Sequence, residues 1–428
     1  MPIRLQNAEN AWSEHNVFMK NSYLIGWGRV DTLPYTGFNF GWLSHSFKFQ
    51  QEKRIYNDKS IPSGYYDTCY LNNQITLDSI LNRRIENTLA YSFGDVTDYK
   101  SKYWVNIYAG VTHAWRNQIY DTIWRQYDST LNLNYQRQNL DVRAAVRFAL
   151  FKQVHISADA SYDVLRNHSI AANGKIEYFF NQKHANDTVK HSKIWQDCIN
   201  WDKSKDKIWL AFGYYDKSPD WFQRRHISNN YIWFNQFENE KNMKFEAGFD
   251  FWGMKISVEH SLLKDYIYME RAGFKQADEM FQVSKIVFEK NFKIWLICLD
   301  NRVVVQKVWN DKFMHLPLLS TKNAFYFDFV LARWTPTQIG IEMTYNTRYY
   351  ADFYNPALQS FYVQNEFQTG NFFNVNAFID LRVKRANVFL KAENLLGSWL
   401  QKNNYWYTAG YPTYSLWFKI GILWRFYD

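Results

Sequence analysis

Apolar and polar residues alternate along this chain. From Val154 to Val164, Val154, Ile156, Ala158, Ala160, Tyr162 and Val164 take one side, and His155, Ser157, Asp159, Ser161 and Asp163 take the other. Side chains of an extended strand point to opposite faces in turn, so a period of two predicts a strand with one apolar and one polar face. Just upstream, Leu140, Val142, Ala144, Val146, Phe148 and Leu150 alternate with Asp141, Arg143, Ala145, Arg147 and Ala149. Phe151-Lys152-Gln153 between the two segments is short enough for a tight turn, so the pair reads as a hairpin.

The pattern recurs. Val105, Ile107, Ala109 and Val111 alternate with Trp104, Asn106, Tyr108 and Thr112. Phe245, Ala247, Phe249 and Phe251 oppose Lys244, Glu246 and Asp250, and Met254, Ile256 and Val258 follow at once against Lys255, Ser257 and Glu259. Ile339, Ile341, Met343 and Tyr345 face away from Glu342, Thr344 and Asn346. Phe373, Val375, Ala377, Ile379, Leu381 and Val383 oppose Asn374, Asn376, Asp380 and Arg382. A turn at Lys384-Arg385 then leads into Ala386, Val388, Leu390 and Ala392, with Asn387, Lys391 and Glu393 opposite.

Such strands run about ten residues, roughly twice the common length, and suit a tilted strand that crosses a bilayer. Connections of two or three residues alternate with long polar ones, of which 57–76, 181–206, 264–280 and 351–370 are examples. Short turns at one end and long loops at the other are the asymmetry of an outer-membrane barrel. The reading is therefore all-β: one antiparallel transmembrane β-barrel over residues 1–428, with about 16 strands (roughly 14 to 18), even numbers being the bacterial rule. No Pro-, Gly- or Ser-rich linker divides the chain.

Composition sharpens this picture. Trp, Tyr and Phe make up 20% of the residues, yet the mean hydropathy is −0.48. Many aromatics in a polar chain suit a wall between lipid and water. No apolar run is long enough for a transmembrane helix, which leaves a closed barrel as the way to pair every backbone amide in a bilayer. Trp12, Trp27, Trp42, Trp104, Trp115, Trp209, Trp221, Trp233, Trp252, Trp295, Trp309, Trp334 and Trp424 fall mostly near strand ends, where indole rings would form girdles at headgroup level. A soluble all-β protein with a tryptophan-filled core is the competing reading.

The formal charge is +9, but Lys and Arg are spread along the chain in nothing longer than pairs such as Arg224-Arg225 and Lys384-Arg385. No clustered basic face or binding motif supports a nucleic-acid partner. Cys69, Cys198 and Cys298 are too few and too scattered for a disulfide framework or a zinc site. The N-terminal Met1–Asn7 lacks the basic and apolar regions of a signal peptide.

The segment from Tyr349 to Gln364, Tyr349-Tyr350-Ala351-Asp352-Phe353-Tyr354-Asn355-Pro356 and on to Phe361-Tyr362-Val363-Gln364, resembles the Y-x-A-x-x-Y-x-P-x-x-x-x-F-x-x-Q stretch of the Bacteroidota "putative porin" family. Leu263-Lys264-Asp265-Tyr266-Ile267-Tyr268 and Leu316-Pro317-Leu318-Leu319-Ser320 fall at its N-Y-I-Y-like and L-P-like positions, and Phe418 to Asp428 looks like its terminal strand. The likeness covers most of the chain and is dense over the last third. It implies an outer-membrane channel. It also implies a longer protein with a signal peptide and further N-terminal strands, so the expectation is that this sequence lacks an upstream portion. In the final strand Leu416, Phe418, Ile420, Ile422, Trp424 and Phe426 share a face opposite Lys419, Gly421, Arg425 and Tyr427; this is the strand the outer-membrane insertion machinery is expected to read.

Candidate chemistry is sparse. Barrel lipid hydrolases use a Ser and a His on the lipid-facing wall. His155 with Ser157, and His260 with Ser261, are the pairs to weigh, and neither carries a third orienting group. His155 and Ser157 read better as lumen residues, and His260 as a solvated residue near a strand end. His184 and His191 lack ligand spacing, and Asp58, Asp67 and Asp78 lack the dense spacing of a calcium loop. The expectation is no enzyme, no cofactor and no metal.

The polar faces remain. Arg143, Arg147, Asp159, Asp163, Lys244, Glu246, Lys255, Glu259, Asn374, Asn376, Asp380, Arg382, Lys391 and Glu393 would project into the lumen. A mixed-charge lining predicts a water-filled path whose narrowest charges set ion preference, although opposite charges on neighbouring strands also simply satisfy one another. The sequence thus predicts a passive diffusion porin of the cell outer membrane, in contact with lipid and small hydrophilic solutes. A non-conducting barrel with adhesive or glycan-binding loops is the alternative, followed by a barrel lipid hydrolase. Homo-oligomerisation is left open, trimers being known for many porins.

Overall fold

The computed structural model describes residues 7–29, 36–94, 104–150, 153–166, 168–180, 206–399 and 406–424. Seventeen strands form one antiparallel sheet. In chain order the first eight are β1 (Ala8–Arg29), β2 (Thr36–Asp58), β3 (Thr76–Phe93), β4 (Val105–Tyr120), β5 (Asn134–Leu150), β6 (Val154–Asp163), β7 (Ile170–Phe179) and β8 (Lys207–Lys217). The others are β9 (Glu240–Phe251), β10 (Met254–Lys264), β11 (Phe281–Ile294), β12 (Ile297–Val308), β13 (Leu319–Leu331), β14 (Thr335–Asn346), β15 (Phe372–Val383), β16 (Ala386–Glu393) and β17 (Trp417–Trp424). Each pairs with the next in sequence. Among the described residues no pairing joins β17 to β1.

The tight turns 252–253, 295–296, 332–334 and 384–385 gather at one end of the sheet, and the β5–β6 connection lies there too. At Trp252-Gly253 both residues have positive φ, 57° and 63°, as a two-residue type I′ hairpin demands because its twist matches that of the strands. The connection 180–206 joins β7 to β8 at this same end. It was expected among the long loops of the opposite end, and residues 181–205 lie outside the described residues. The connection 94–104 between β3 and β4 belongs to the tight-turn end as well, because the strand count before a connection, not its length, decides which end it occupies.

The two faces differ as the alternation predicts. Leu210, Phe245, Ile341 and Ile420 stand on one face with 64%, 48%, 46% and 76% of their surface exposed. Glu246, Glu259 and Glu342 on the other face are more covered than these apolar neighbours. This reverses the usual burial of a protein in water. At twelve residues, β9 extends for about 40 Å, which at a tilt of about 45° spans roughly the 25 Å height of a barrel's apolar band.

Exposed Trp104, Trp252, Trp295, Trp334 and Trp424 lie at the tight-turn end, and Trp12, Trp309 and Trp417 at the other. Other expected girdle members are elsewhere: Trp12, opposite Arg54, and Trp42, opposite Ser92, stand on the polar face. Trp209 is buried on the polar face, where its Nε1 donates to Glu246 at 3.2 Å. Trp221 and Trp233 belong to the connection between β8 and β9, and Trp233 is buried there. The Trp27 side chain lies outside the described residues.

The long connections fold inward onto the polar face instead of standing in solvent. Ile80 and Tyr120, from that face of β3 and β4, are buried with Trp124, Leu133 and Ile227 of the connections. Tyr56, Tyr66 and Ala357 form a second cluster, Trp233, Met269 and Leu358 a third, and Ala277, Phe281 and Phe313 a fourth. Gln359, after β14, donates from Nε2 to Asn10 Oδ1 of β1 at 3.0 Å. A contact between elements so far apart in the pairing order means that the sheet is rolled, with its polar face inside.

Candidate functional site

All the predicted lining residues sit on the polar face, because the register keeps every second residue of adjacent strands in line. They fall into separate groups. Glu259 lies between Lys244 and Lys285, at 3.0 and 2.9 Å, and Lys244 reaches Glu246 at 3.5 Å. A second chain crosses β13 to β17: Lys322 to Glu342 at 3.0 Å, Glu342 to Lys391 at 3.7 Å, Lys391 to Glu393 at 3.5 Å, and Glu393 to Lys419 at 2.7 Å. Arg143 stands 3.9 Å from Asp159, and Asp163 accepts from Asn139 Nδ2 at 2.9 Å. Lys255, Asp380 and Arg382 lie near the tight turns, with no ion pair among the described residues. Asn376 Oδ1 accepts the Asn394 backbone N–H at 3.0 Å, tying strand to loop.

Alternation alone did not find the most concentrated charge. Arg84 of β3 stands directly opposite Arg116 of β4, and Arg116 directly opposite Arg137 of β5. All three point to the polar face. Like charges in directly opposed positions destabilise a sheet, and the acids Glu86, Asp220 and Asp141 act on Arg116 against the repulsion of Arg84. Arg84 pairs with Glu86, and Arg54 pairs with Glu52 at 2.6 Å. Arg137 donates to Ser218 Oγ at 3.1 Å, a hydroxyl that Arg224 also contacts at 3.4 Å. Arg116 has no ion pair or hydrogen bond among the described residues, and the Nε atoms of Arg84, Arg116 and Arg137 are buried without a partner. The legible sign was Arg84 and Glu86 in step with Asp78, Ile80 and Asn82.

The folded-in connections roof this row. A cavity of about 480 Å³ is bounded by Gln50, Arg54, Asn82, Arg84, Arg116 and Gln118 of the wall and by Trp221, Phe222, His226, Leu358 and Gln359 of the roof. His226 is 3% exposed, packs against Phe222 and Trp233, and has no partner on either ring nitrogen. Burial, reinforced by Arg54, pushes its pKa down to about 3, so the ring is neutral. The roof is pinned by Asn229. Its backbone N–H donates to both oxygens of Asp78, at 2.9 and 3.1 Å, and its Nδ2 donates to Thr76 Oγ1 at 2.8 Å.

Of the histidine pairs considered from sequence, His155 and Ser157 share the polar face of β6, whereas His260 and Ser261 point to opposite faces of β10. Arg147 contacts His155 Nδ1 at 2.8 Å on the polar face. His260 sits mid-strand on the apolar face, correcting the expected strand-end position, and Ser261 is buried on the other face. The partner of His260 is Ser284 of β11, with Nδ1 3.0 Å from Oγ, and Trp309 Nε1 also donates to that Oγ at 3.1 Å. Among the described residues no group holds the far nitrogen of His260, and no three His, Cys, Asp or Glu side chains gather to hold a metal.

No curated protein matches the chain in sequence. Solved structures do match it in fold. The copper transporter OprC superposes with a TM-score of 0.60 at 9% identity, over 94% of this chain and 63% of that one. The ferric enterobactin receptor PfeA gives 0.58 at 8%, over 89% and 57%, and the ferric-catecholate import receptor Fiu from E. coli K12 gives 0.58 at 10%, over 94% and 61%. The chain thus spans about three-fifths of the length of these structures. At such identities the likeness establishes the fold alone. The family described as "Putative porin" matches from residue 1 to residue 428, and the chain belongs to it.

Proposed function

We propose that the chain forms a closed outer-membrane barrel and acts as a porin, passing small hydrophilic solutes or ions by diffusion through its polar side. One observation carries this reading: the two faces of a single rolled sheet suit two different solvents. Leu210, Phe245 and Ile420 are exposed on one face, while the Lys244–Glu259–Lys285 and Lys322–Glu342–Lys391 groups line the other. An apolar exterior and a charged interior are what a bilayer-spanning wall around water requires. The long-loop end would face outward and the tight turns the periplasm, with Trp309 at the loop end and Trp252, Trp295, Trp334 and Trp424 at the turn end meeting the headgroups.

The packed roof favours a second reading, in which the barrel is shut at rest and its loops serve recognition. Purified protein in planar bilayers separates the two. Steady single-channel current supports diffusion; a silent bilayer with correctly folded protein supports the closed barrel. The His260–Ser284 pair lacks the orienting group that activates a serine, so lipid hydrolysis is expected to be absent, as a phospholipid-release assay would register.

A further inference from the structure

We infer that Arg84 and Arg116, the members of the arginine row that line the cavity beneath the roof, bind the oxyanion group, carboxylate or phosphate, of a small organic solute. Three observations converge. Arg84, Arg116 and Arg137 stand in directly opposed register, a placement that repels unless an anion lies among them. The acids that line the cavity are otherwise engaged, Glu52 with Arg54, Asp78 with the Asn229 backbone and the exposed Asp220 with Lys217 at 3.6 Å, as is Glu86 with Arg84. Asp141, outside the cavity, acts on Arg116 and Arg84 through space without an ion pair to either. Arg116 makes no direct ion pair among the described residues, and its buried Nε is unpartnered.

The second, independent feature is His226. It is buried, lines the same cavity, and leaves both ring nitrogens unpartnered. A neutral imidazole can donate one hydrogen bond to an oxyanion without adding charge. Guanidinium groups present paired donors that match carboxylate and phosphate oxygens. The roof adds Trp221, Phe222 and Leu358 as apolar walls. The cavity of about 480 Å³ falls within the range for small-molecule sites, so the ligand is an anion with a carbon skeleton.

The idea of a solute in transit rests on the porin reading, but the binding site does not. The test uses the full chain in detergent, titrated calorimetrically with inorganic phosphate and, separately, with acetate. Wild type should bind at least one, more weakly as NaCl rises. Arg116→Gln should weaken binding about tenfold or more, since a charged hydrogen bond is lost, and Arg116→Lys should recover part of it. Arg143→Gln, on the same face outside the cavity, should leave it unchanged. The stronger of the two anions identifies the group.

Wild type that binds neither anion, or Arg116→Gln that binds as well as wild type, overturns the site. If Arg116→Gln does not fold, protection of wild-type Arg116 from phenylglyoxal modification by the tighter anion replaces it; absence of protection overturns the site. Channel current separates the two claims. Current without anion binding sinks only the site, whereas binding without current sinks only the porin reading.

Discussion

The carboxylate of Asp78, on a wall strand, accepts the backbone N–H of Asn229, in the inward-folded connection between β8 and β9, through both of its oxygens at 2.9 and 3.1 Å. Both residues are buried. The Asn229 side chain extends the latch, accepting from Leu71 and Asn72 backbone N–H groups at 2.8 and 3.1 Å. One residue thus joins the connection after β8 to the one after β2.

Removing the carboxylate leaves a buried N–H unsatisfied. Asp78→Ala should cost the roof about 1–3 kcal/mol, and Asn229→Ala a comparable amount. Under the porin reading both variants should raise single-channel conductance or open probability, because the loosened segment lies across the polar face. Limited proteolysis should cleave the 218–239 connection faster in both, with the strands intact. Unchanged conductance and cleavage would mean that the latch does not hold the roof.

Glu259 sits between two lysines, and losing it leaves Lys244 and Lys285 without their shared acid. All three are partly exposed, so the stability cost of Glu259→Gln should be about 1 kcal/mol or less. Its effect on permeation should be larger in proportion. Removing one negative charge from the lining should shift the reversal potential in a salt gradient toward anions. A channel whose selectivity ignores this substitution does not run past Glu259.

Much of the wall was legible because alternation is a local signal. Val154–Asp163, Phe245–Phe251 and Ala386–Ala392 announce their faces without reference to any other segment, and the structure keeps those faces. The roof was illegible for the opposite reason. Trp233, Tyr66 and Leu358 become buried only because connections distant in sequence meet, and nothing in their own neighbourhoods marks them as core. The arginine row was hidden in the same way, since Arg84, Arg116 and Arg137 become neighbours only through the pairing register. His260 was misplaced because a single strand's pattern cannot show that Ser284 lies beside it.

His226 should make the roof sensitive to acid. Its ring is buried against Phe222 and Trp233, with Arg54 nearby, and its pKa falls to about 3 from an ordinary value near 6.5. The unfolded chain therefore binds a proton that the folded roof refuses across that interval. The contribution of His226 to stability is full above about pH 6.5 and is lost progressively as pH falls toward 3. Proteolytic cleavage of the 218–239 connection should accelerate from pH 7 to pH 4. His226→Phe, which keeps the ring packing and cannot protonate, should flatten that dependence. Equal acid sensitivity in both proteins would place the titrating group elsewhere.

The apolar face offers the sharpest test of where the wall resides. Ile341 lies in the middle of β14 on that face and is 46% exposed, whereas Gln338, on the same strand, faces the polar side across from Asp328 and Asp380. In water an arginine at either position would be tolerated, since both side chains reach solvent. In a bilayer the two differ: a charge on the lipid side near the midplane costs about 2–4 kcal/mol, and one on the lumen side far less. Ile341→Arg should therefore shift the urea midpoint for folding into phospholipid vesicles well below wild type, while Gln338→Arg should fold nearly normally. Two equally mild effects would mean that the exposed isoleucine meets water, and the apolar face would then need a protein partner instead of lipid.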